Sequence, residues 1–148
     1  MLDNITSTEN IGAIARSMAG LGVYSYLLPR TSPHPYGRRA LRVSMGYMSK
    51  LKYNIYEDIF STLLELKQRG YRIFAAEVDD NATYLSEVSV PQKWVLLMGH
   101  EGKGISAEIL DVCDEVVSIE MQEDVKSFNV GVAASLIMYQ FKNSYNCN

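Results

Sequence analysis

Trp94-Val95-Leu96-Leu97-Met98-Gly99-His100-Glu101-Gly102-Lys103-Gly104 passes from five consecutive apolar residues into a turn with three glycines in six positions. An apolar run this short, with no polar alternation, is what a parallel strand covered on both faces requires. The abrupt change to Gly99–Gly104 marks a backbone that adopts conformations other residues resist, or one that a ligand approaches closely. The glycine spacing fits neither a P-loop nor a dinucleotide fingerprint.

Outward from this point the chain alternates between helical and strand periods. On the N-terminal side, Ile11, Ile14, Ala15 and Met18 fall at i, i+3, i+4 and i+7, which predicts a helix over about Asn10–Leu21 with Asn10 able to cap it. Val23–Leu28 reads as a strand stopped by Pro29, and 31–37 as a loop rich in Pro, Ser and Gly. A short helix (38–45), a short strand (52–56), an amphipathic helix (57–69) closed by Gly70, and a strand (71–76) follow. Beyond the glycine turn, Ser106 can cap a helix running to about Cys113, 115–119 is a buried strand, and 128–142 is an almost wholly apolar helix expected to be deeply packed. Strands alternating with helices predict an α/β fold with a mostly parallel sheet flanked by helices, and in such sheets ligands bind at the loops leaving the carboxyl ends of strands.

A length of 148 residues is enough for one core, so a single domain over 1–148 is expected. With 47% hydrophobic and 21% charged residues and no apolar run near the roughly 20 residues of a membrane span, the expectation is a soluble protein with no membrane partner. Met1-Leu2-Asp3-Asn4 lacks signal-peptide character, and Cys113 and Cys147 have no metal-ligand spacing, which points to a cytoplasmic protein without a metal. The net charge of −3 is unevenly spread. From Asn10 to Tyr56 there are seven basic residues and no acidic one, leaving −10 for the remainder. That asymmetry can present one basic face to a polyanion, with Arg30, Arg38, Arg39 and Arg42 as candidate contacts; a solvated face is the alternative.

Three constellations carry the remaining signal. The first is Asn10-Ile11-Gly12-Ala13-Ile14-Ala15-Arg16, the second the glycine turn with Glu101, and the third Ile119-Glu120-Met121 followed by Ser127-Phe128-Asn129-Val130-Gly131-Val132-Ala133-Ala134. Taken singly each has a structural explanation. Asn10, Ser127 and Asn129 can cap helices, and Gly131, Ala133 and Ala134 let another backbone pack closely.

Their order and spacing, however, resemble the three motifs of the SpoU (TrmH-like) RNA 2′-O-ribose methyltransferases of the SPOUT superfamily, N-x-G-A-x-x-R, G-x-E-G-x-G and I-x-M…S-x-N-V-x-V-A, across essentially the whole chain. That resemblance implies a C-terminal deep trefoil knot, S-adenosylmethionine as cofactor, a homodimer, and methylation of a ribose 2′-hydroxyl in tRNA or rRNA. It implies that Ala76, Gly99, Ile119, Met121 and Phe128 line the cofactor pocket, that Asn10, Glu101, Ser127 and Asn129 shape the catalytic site, and that Arg16 is catalytic, reaching across from the partner subunit. An always-protonated guanidinium is an awkward base, so Arg16 acts either deprotonated with help from an RNA phosphate or as a cation stabilising the alkoxide.

The chain departs from the family pattern at Thr8 or Glu9, Glu120, Phe128 and Gly131. It also starts almost at the first motif, with only Leu2 left of the usual first strand and no separate N-terminal RNA-binding domain expected. Glu120 and Phe128 keep open a non-catalytic knotted RNA-binding module. A SPOUT base methyltransferase is a further alternative.

Overall fold

The computed structural model describes residues 1–34 and 37–145; Pro35 and Tyr36 of the expected loop, and Cys147, lie outside the described residues. The elements are α1 (Thr8–Leu21), β1 (Ser25–Pro29), α2 (Arg38–Val43), a short 3-10 turn (Tyr47–Lys50), β2 (Lys52–Tyr56), α3 (Ile59–Gln68), β3 (Arg72–Ala76), β4 (Thr83–Tyr84), β5 (Trp94–Met98), α4 (Ala107–Val112), β6 (Glu115–Ser118) and α5 (Val130–Tyr145). Strands and helices alternate as expected except that β3, β4 and β5 follow one another without a helix, the two-residue β4 falling in a stretch where no strand was expected. No helix among the described residues is long and apolar enough to cross a membrane.

All strand pairs are parallel. One sheet has the order β4-β6-β3-β5, and a second joins β1 to β2. Between them lies the extended segment Met1–Asp3, which stitches the two sheets together. The Leu2 amide donates to the Leu27 carbonyl of β1 at 3.0 Å. On the β5 side the Asp3 amide donates to Met98 O at 2.8 Å and the Met98 amide to Met1 O at 3.0 Å. Leu2 thus does the work of a central strand in a single residue.

The sheet separates two cores, as the strand period of two dictates. On one face Phe74, Leu96 and Met98 meet Ile11, Ile14 and Met18 of α1 and Ile137, Met138 and Phe141 of α5. On the other, Ile73, Ala75, Val95 and Leu97 meet Leu63 of α3 and Ile109 of α4. The Phe141 ring is edge-on to both Phe74 (4.9 Å between centroids) and Trp94 (5.2 Å), a geometry that the aromatic quadrupole favours.

Two expectations need correction. Helix α1 begins at Thr8 and is capped by Ser7, whose Oγ accepts the Asn10 amide at 3.3 Å, so Asn10 is not the cap and its side chain is released for other partners. Helix α5 is not buried all round. Ala134, Ile137, Met138 and Phe141 pack inward, while Val132 (48% exposed), Leu136 (42%) and Tyr139 (59%) form an apolar stripe on the opposite face at i, i+4 and i+7.

Met1 is buried and its α-amine donates to Leu96 O at 2.9 Å; burial pushes the amine from its ordinary value near 8 down to about 5. The unfolded chain therefore binds a proton between those limits that the folded chain excludes, and stability falls as pH drops from 8 towards 5. Urea denaturation across this range should show that decline. The same chain N-terminally acetylated should show a flatter profile; identical profiles would mean that the amine is solvated.

Candidate active site

At the carboxyl ends of β3, β5 and β6 the chain leaves a cavity of about 340 Å³, within the size range of small-molecule sites. Its walls come from three loops. The turn after β3 supplies Ala76, Glu77 and Val78, the turn after β5 supplies Gly99, His100, Glu101 and Gly104, and the segment from β6 to α5 supplies Ser118, Ile119, Met121, Ser127, Phe128 and Asn129. Asn10 of α1 and Val130, Ala133 and Ile137 of α5 close it. All five residues expected to hold a cofactor line this one cavity, with Asn10, Glu101, Ser127 and Asn129 beside them.

A hydrogen-bond chain joins the three motifs. Glu101 Oε1 accepts from Asn10 Nδ2 at 3.2 Å and from the Ser7 amide at 3.3 Å. Asn10 Oδ1 accepts from Asn129 Nδ2 at 3.1 Å, and Asn129 Oδ1 in turn accepts the Gly131 and Val132 amides at 2.9 and 3.3 Å. Asn129, rather than Ser127, is therefore the cap of α5. Each asparagine uses its donor and acceptor ends on different partners, which neither a carboxylate nor an amine could do. Partial burial pushes the Glu101 carboxyl up, but hydrogen bonds from its own backbone, Asn10, Ser7 and Thr6 outweigh this and hold it below the usual range.

The glycine turn is shaped by its own packing. A Cβ at Gly99 would lie 2.5 Å from Ile105 Cγ1 and 2.7 Å from the Gly104 carbonyl carbon. Gly104 sits at φ +68°, where a Cβ would meet Glu77 Oε2 at 2.3 Å. Glu77 pins the turn to the end of β3, its Oε2 accepting the Ile105 amide at 2.9 Å and its Oε1 the Val78 amide at 3.1 Å. His100 Nδ1 accepts the Gly102 and Lys103 amides at 3.0 and 3.1 Å.

Glu77 and Ser7 are residues that sequence reasoning missed. Glu77 had one available signal, an acidic side chain directly after a buried parallel strand, where ligand loops begin. Glu120, a departure from the family pattern, does not line the cavity. Its Oε1 accepts from Ser86 Oγ and from the Ser86 amide at 3.1 Å, and these bonds, Ser86 Oγ foremost, hold the carboxyl below the usual range. Phe128 does line the cavity, half exposed at its mouth.

Arg16 lies exposed on α1 and is not among the residues lining the cavity of its own chain. Gly12 serves the crossing of α1 and α2, because a Cβ there would stand 3.0 Å from both Ala40 O and Val43 Cβ. Of the candidate RNA contacts, Arg30 is ion-paired with Glu57 and Arg39 with Glu9, while Arg38 and Arg42 are exposed on α2. Exposed pairs of this kind are weak because solvent screens them, so both arginines can exchange a carboxylate for a phosphate at little cost.

Residues 1–139 match the SpoU rRNA Methylase family. The chain belongs to that family. An uncharacterised tRNA/rRNA methyltransferase of Mycobacterium tuberculosis is 35% identical to this SpoU chain over 143 residues, covering 95% of the chain and 50% of the relative. The SpoU chain thus spans about half the length of the curated relatives it matches. Among solved structures, the SpoU methyltransferase AviRb from Streptomyces viridochromogenes, in complex with AdoMet, superposes with a TM-score of 0.88 at 24% identity, over 99% of this chain and 60% of that one. A structure described as giving insight into 2-OH methylation of C/U34 on tRNA superposes with a TM-score of 0.87 at 26% identity, over 99% of this chain and 95% of that one. The parallel α/β architecture with flanking helices is thus that of SpoU proteins.

The hydrogen-bond chain generates a test by urea denaturation. Asn129→Ala removes both the α5 cap and the link to Asn10 and should cost about 1–2 kcal/mol, against about 0.5–1 kcal/mol for Asn10→Ala. The double variant should cost less than the sum of the two singles; strict additivity would show that the Asn10–Asn129 bond is energetically empty. Because the Glu101 carboxyl is held below its usual range, its share of this stabilisation is present at neutral pH and lost as pH falls through its lowered value.

Proposed function

We propose that this chain is the catalytic domain of an S-adenosylmethionine-dependent methyltransferase acting on a ribose 2′-hydroxyl of tRNA or rRNA in the cytoplasm. The observation that carries the reading is the convergence of all three motifs on one cavity. Membership of the SpoU family and likeness to a fold that holds AdoMet in AviRb support it.

The residues present fit that cofactor. Ile119, Met121, Phe128, Val130, Ala133 and Ile137 give apolar walls for an adenosine and an aliphatic chain, and Asn10, Glu101, Ser127 and Asn129 offer polar groups at one side. When bound, S-adenosylmethionine supplies an electrophilic methyl on a sulfonium centre. The protein's task is then alignment of the hydroxyl with that methyl and management of a weakly acidic proton. The buttressed amides of Asn10 and Asn129 hold this side of the cavity rigid.

Arg16 is the group assigned to the hydroxyl, as a base assisted by an RNA phosphate or as a cation opposite the developing alkoxide. Since it stands outside its own cavity, we place it in the site of a second copy. The exposed stripe Val132, Leu136 and Tyr139, with Phe128 at the cavity mouth, supports a homodimer in which this face of α5 is covered. A C-terminal deep trefoil knot belongs to the same reading, which membership of the SpoU family supports. The basic segment from Arg30 to Lys52 is the proposed RNA face.

Isothermal titration of the chain with S-adenosylmethionine should give a Kd in the micromolar range, and absence of binding would favour a non-catalytic RNA-binding module. Arg16→Ala should lower methyl transfer at least about a hundredfold with cofactor affinity unchanged; a loss below about tenfold would remove Arg16 from the mechanism. Nuclease digestion and mass analysis of the product should place the methyl on ribose, whereas a methylated base would identify the other chemistry.

The dimer has its own check. Leu136→Glu sets a charge in the middle of the apolar stripe and should convert a dimer into a monomer by light scattering, with the circular dichroism spectrum retained. A wild-type chain that is monomeric at high micromolar concentration would exclude the dimer.

A further inference from the structure

Among the described residues lining the cavity, two carry carboxylates, Glu77 and Glu101, and none is a lysine or arginine. The two are placed differently. Glu101 is bound into the asparagine chain on the α1 side, whereas Glu77 stands at the end of β3, bonded to the Ile105 amide at the far end of the glycine turn. Each oxygen of Glu77 accepts a backbone amide, from Ile105 and from Val78, and its carboxylate lies in the space that the missing Cβ of Gly104 leaves open. A fixed carboxylate in the wall of a partly enclosed cavity biases which ligands enter by their charge, and it does so more strongly than one on open surface.

The reading of the cavity as a methyl-donor site gives that bias a consequence, and the inference rests on that reading. S-adenosylmethionine carries a sulfonium, an ammonium and a carboxylate, one net positive charge. S-adenosylhomocysteine, left when the methyl departs, is a neutral thioether with no net charge and nearly the same shape. Apolar walls such as Ile119 and Phe128 bind the two alike. A negative wall does not.

We propose that Glu77 is a specificity-determining residue that makes the cavity prefer the cationic methyl donor over its uncharged product. The contribution is electrostatic and separable from the role of Glu77 in pinning the glycine turn. Glutamine at this position keeps an oxygen that can accept the Ile105 amide but removes the charge. Aspartate keeps the charge on a shorter arm.

The test is isothermal titration of the purified chain with S-adenosylmethionine, S-adenosylhomocysteine and sinefungin, in which an amine-bearing carbon replaces the sulfonium and restores the positive charge. The wild-type chain should bind the two cationic ligands at least about tenfold more tightly than S-adenosylhomocysteine, a preference of about 1.4 kcal/mol. Glu77→Gln should reduce that preference below about threefold by weakening the cationic ligands while leaving S-adenosylhomocysteine unchanged. Glu77→Asp should restore most of it.

Equal or tighter wild-type binding of S-adenosylhomocysteine would overturn the proposal. So would a Glu77→Gln variant that loses affinity for all three ligands in parallel, which is what loosening of the turn alone would produce. Failure of all three ligands to bind the folded wild-type chain would instead sink the methyl-donor reading of the cavity, and this inference with it.

Discussion

A carboxylate that accepts from one asparagine, which in turn accepts from a second, which caps a helix, holds this molecule's cavity together. Glu101, Asn10 and Asn129 are separated by 91 and 119 residues along the chain, yet their side chains meet within hydrogen-bond distance. Each bond satisfies a group that would otherwise compete for solvent at the cavity edge. The terminal acceptor, Asn129 Oδ1, also meets two of the orphan amides that any helix leaves at its N-terminus. Helix α5, α1 and the glycine turn are therefore positioned by one continuous polar link, and the parallel sheet beneath them provides the strand ends from which the link is built.

How much of this was legible in the sequence depends on how local the deciding interactions are. Strands β2 and β5 stand at Lys52–Tyr56 and Trp94–Met98 as read, β5 because an apolar run bounded by turn residues leaves little choice and β2 through its β-favouring Tyr53, Ile55 and Tyr56. The Ser106 cap of α4 is equally local, its Oγ accepting the Ile109 amide. Asn10 was harder. Its position before an apolar helical stripe makes it a natural cap, but Ser7 takes that role three residues earlier, and what then occupies Asn10 is 91 and 119 residues away. The glycine turn was legible as a special backbone but not for its reason. Gly99 is required by the close approach of Gly104 and Ile105, and Gly104 by its φ of +68°, neither of which the glycine spacing alone reveals.

The resemblance marked Leu2 as the remnant of a first strand, but the stitching of two sheets by Met1–Asp3 was not legible, for a different cause. A strand is recognised by a run of residues, whereas here Leu2 bridges to β5, its amide bonds to β1, and its flanking residues complete the β5 pairing. The pairing rests on a few backbone bonds, with the buried α-amine donating to Leu96 O beside them. Length of an element and importance of an element are separate quantities, and pattern reading senses only the first.

Helix α5 shows what an all-round apolar pattern means when packing is limited to one side. Its sequence calls for burial on every face, since a helix with no polar side has no solvent-adapted surface. The sheet and α1 satisfy only the inward half, where Phe141 wedges between Phe74 and Trp94 and Gly131 lets α5 approach Ala13. Val132, Leu136 and Tyr139 are left facing outward, with Phe128 on the same approach to the cavity. The outward stripe therefore carries information that the fold of one chain does not consume. Placed next to a cavity that Arg16, exposed on α1, does not line, that surplus of apolar surface is the physical ground on which the proposal of a second subunit rests.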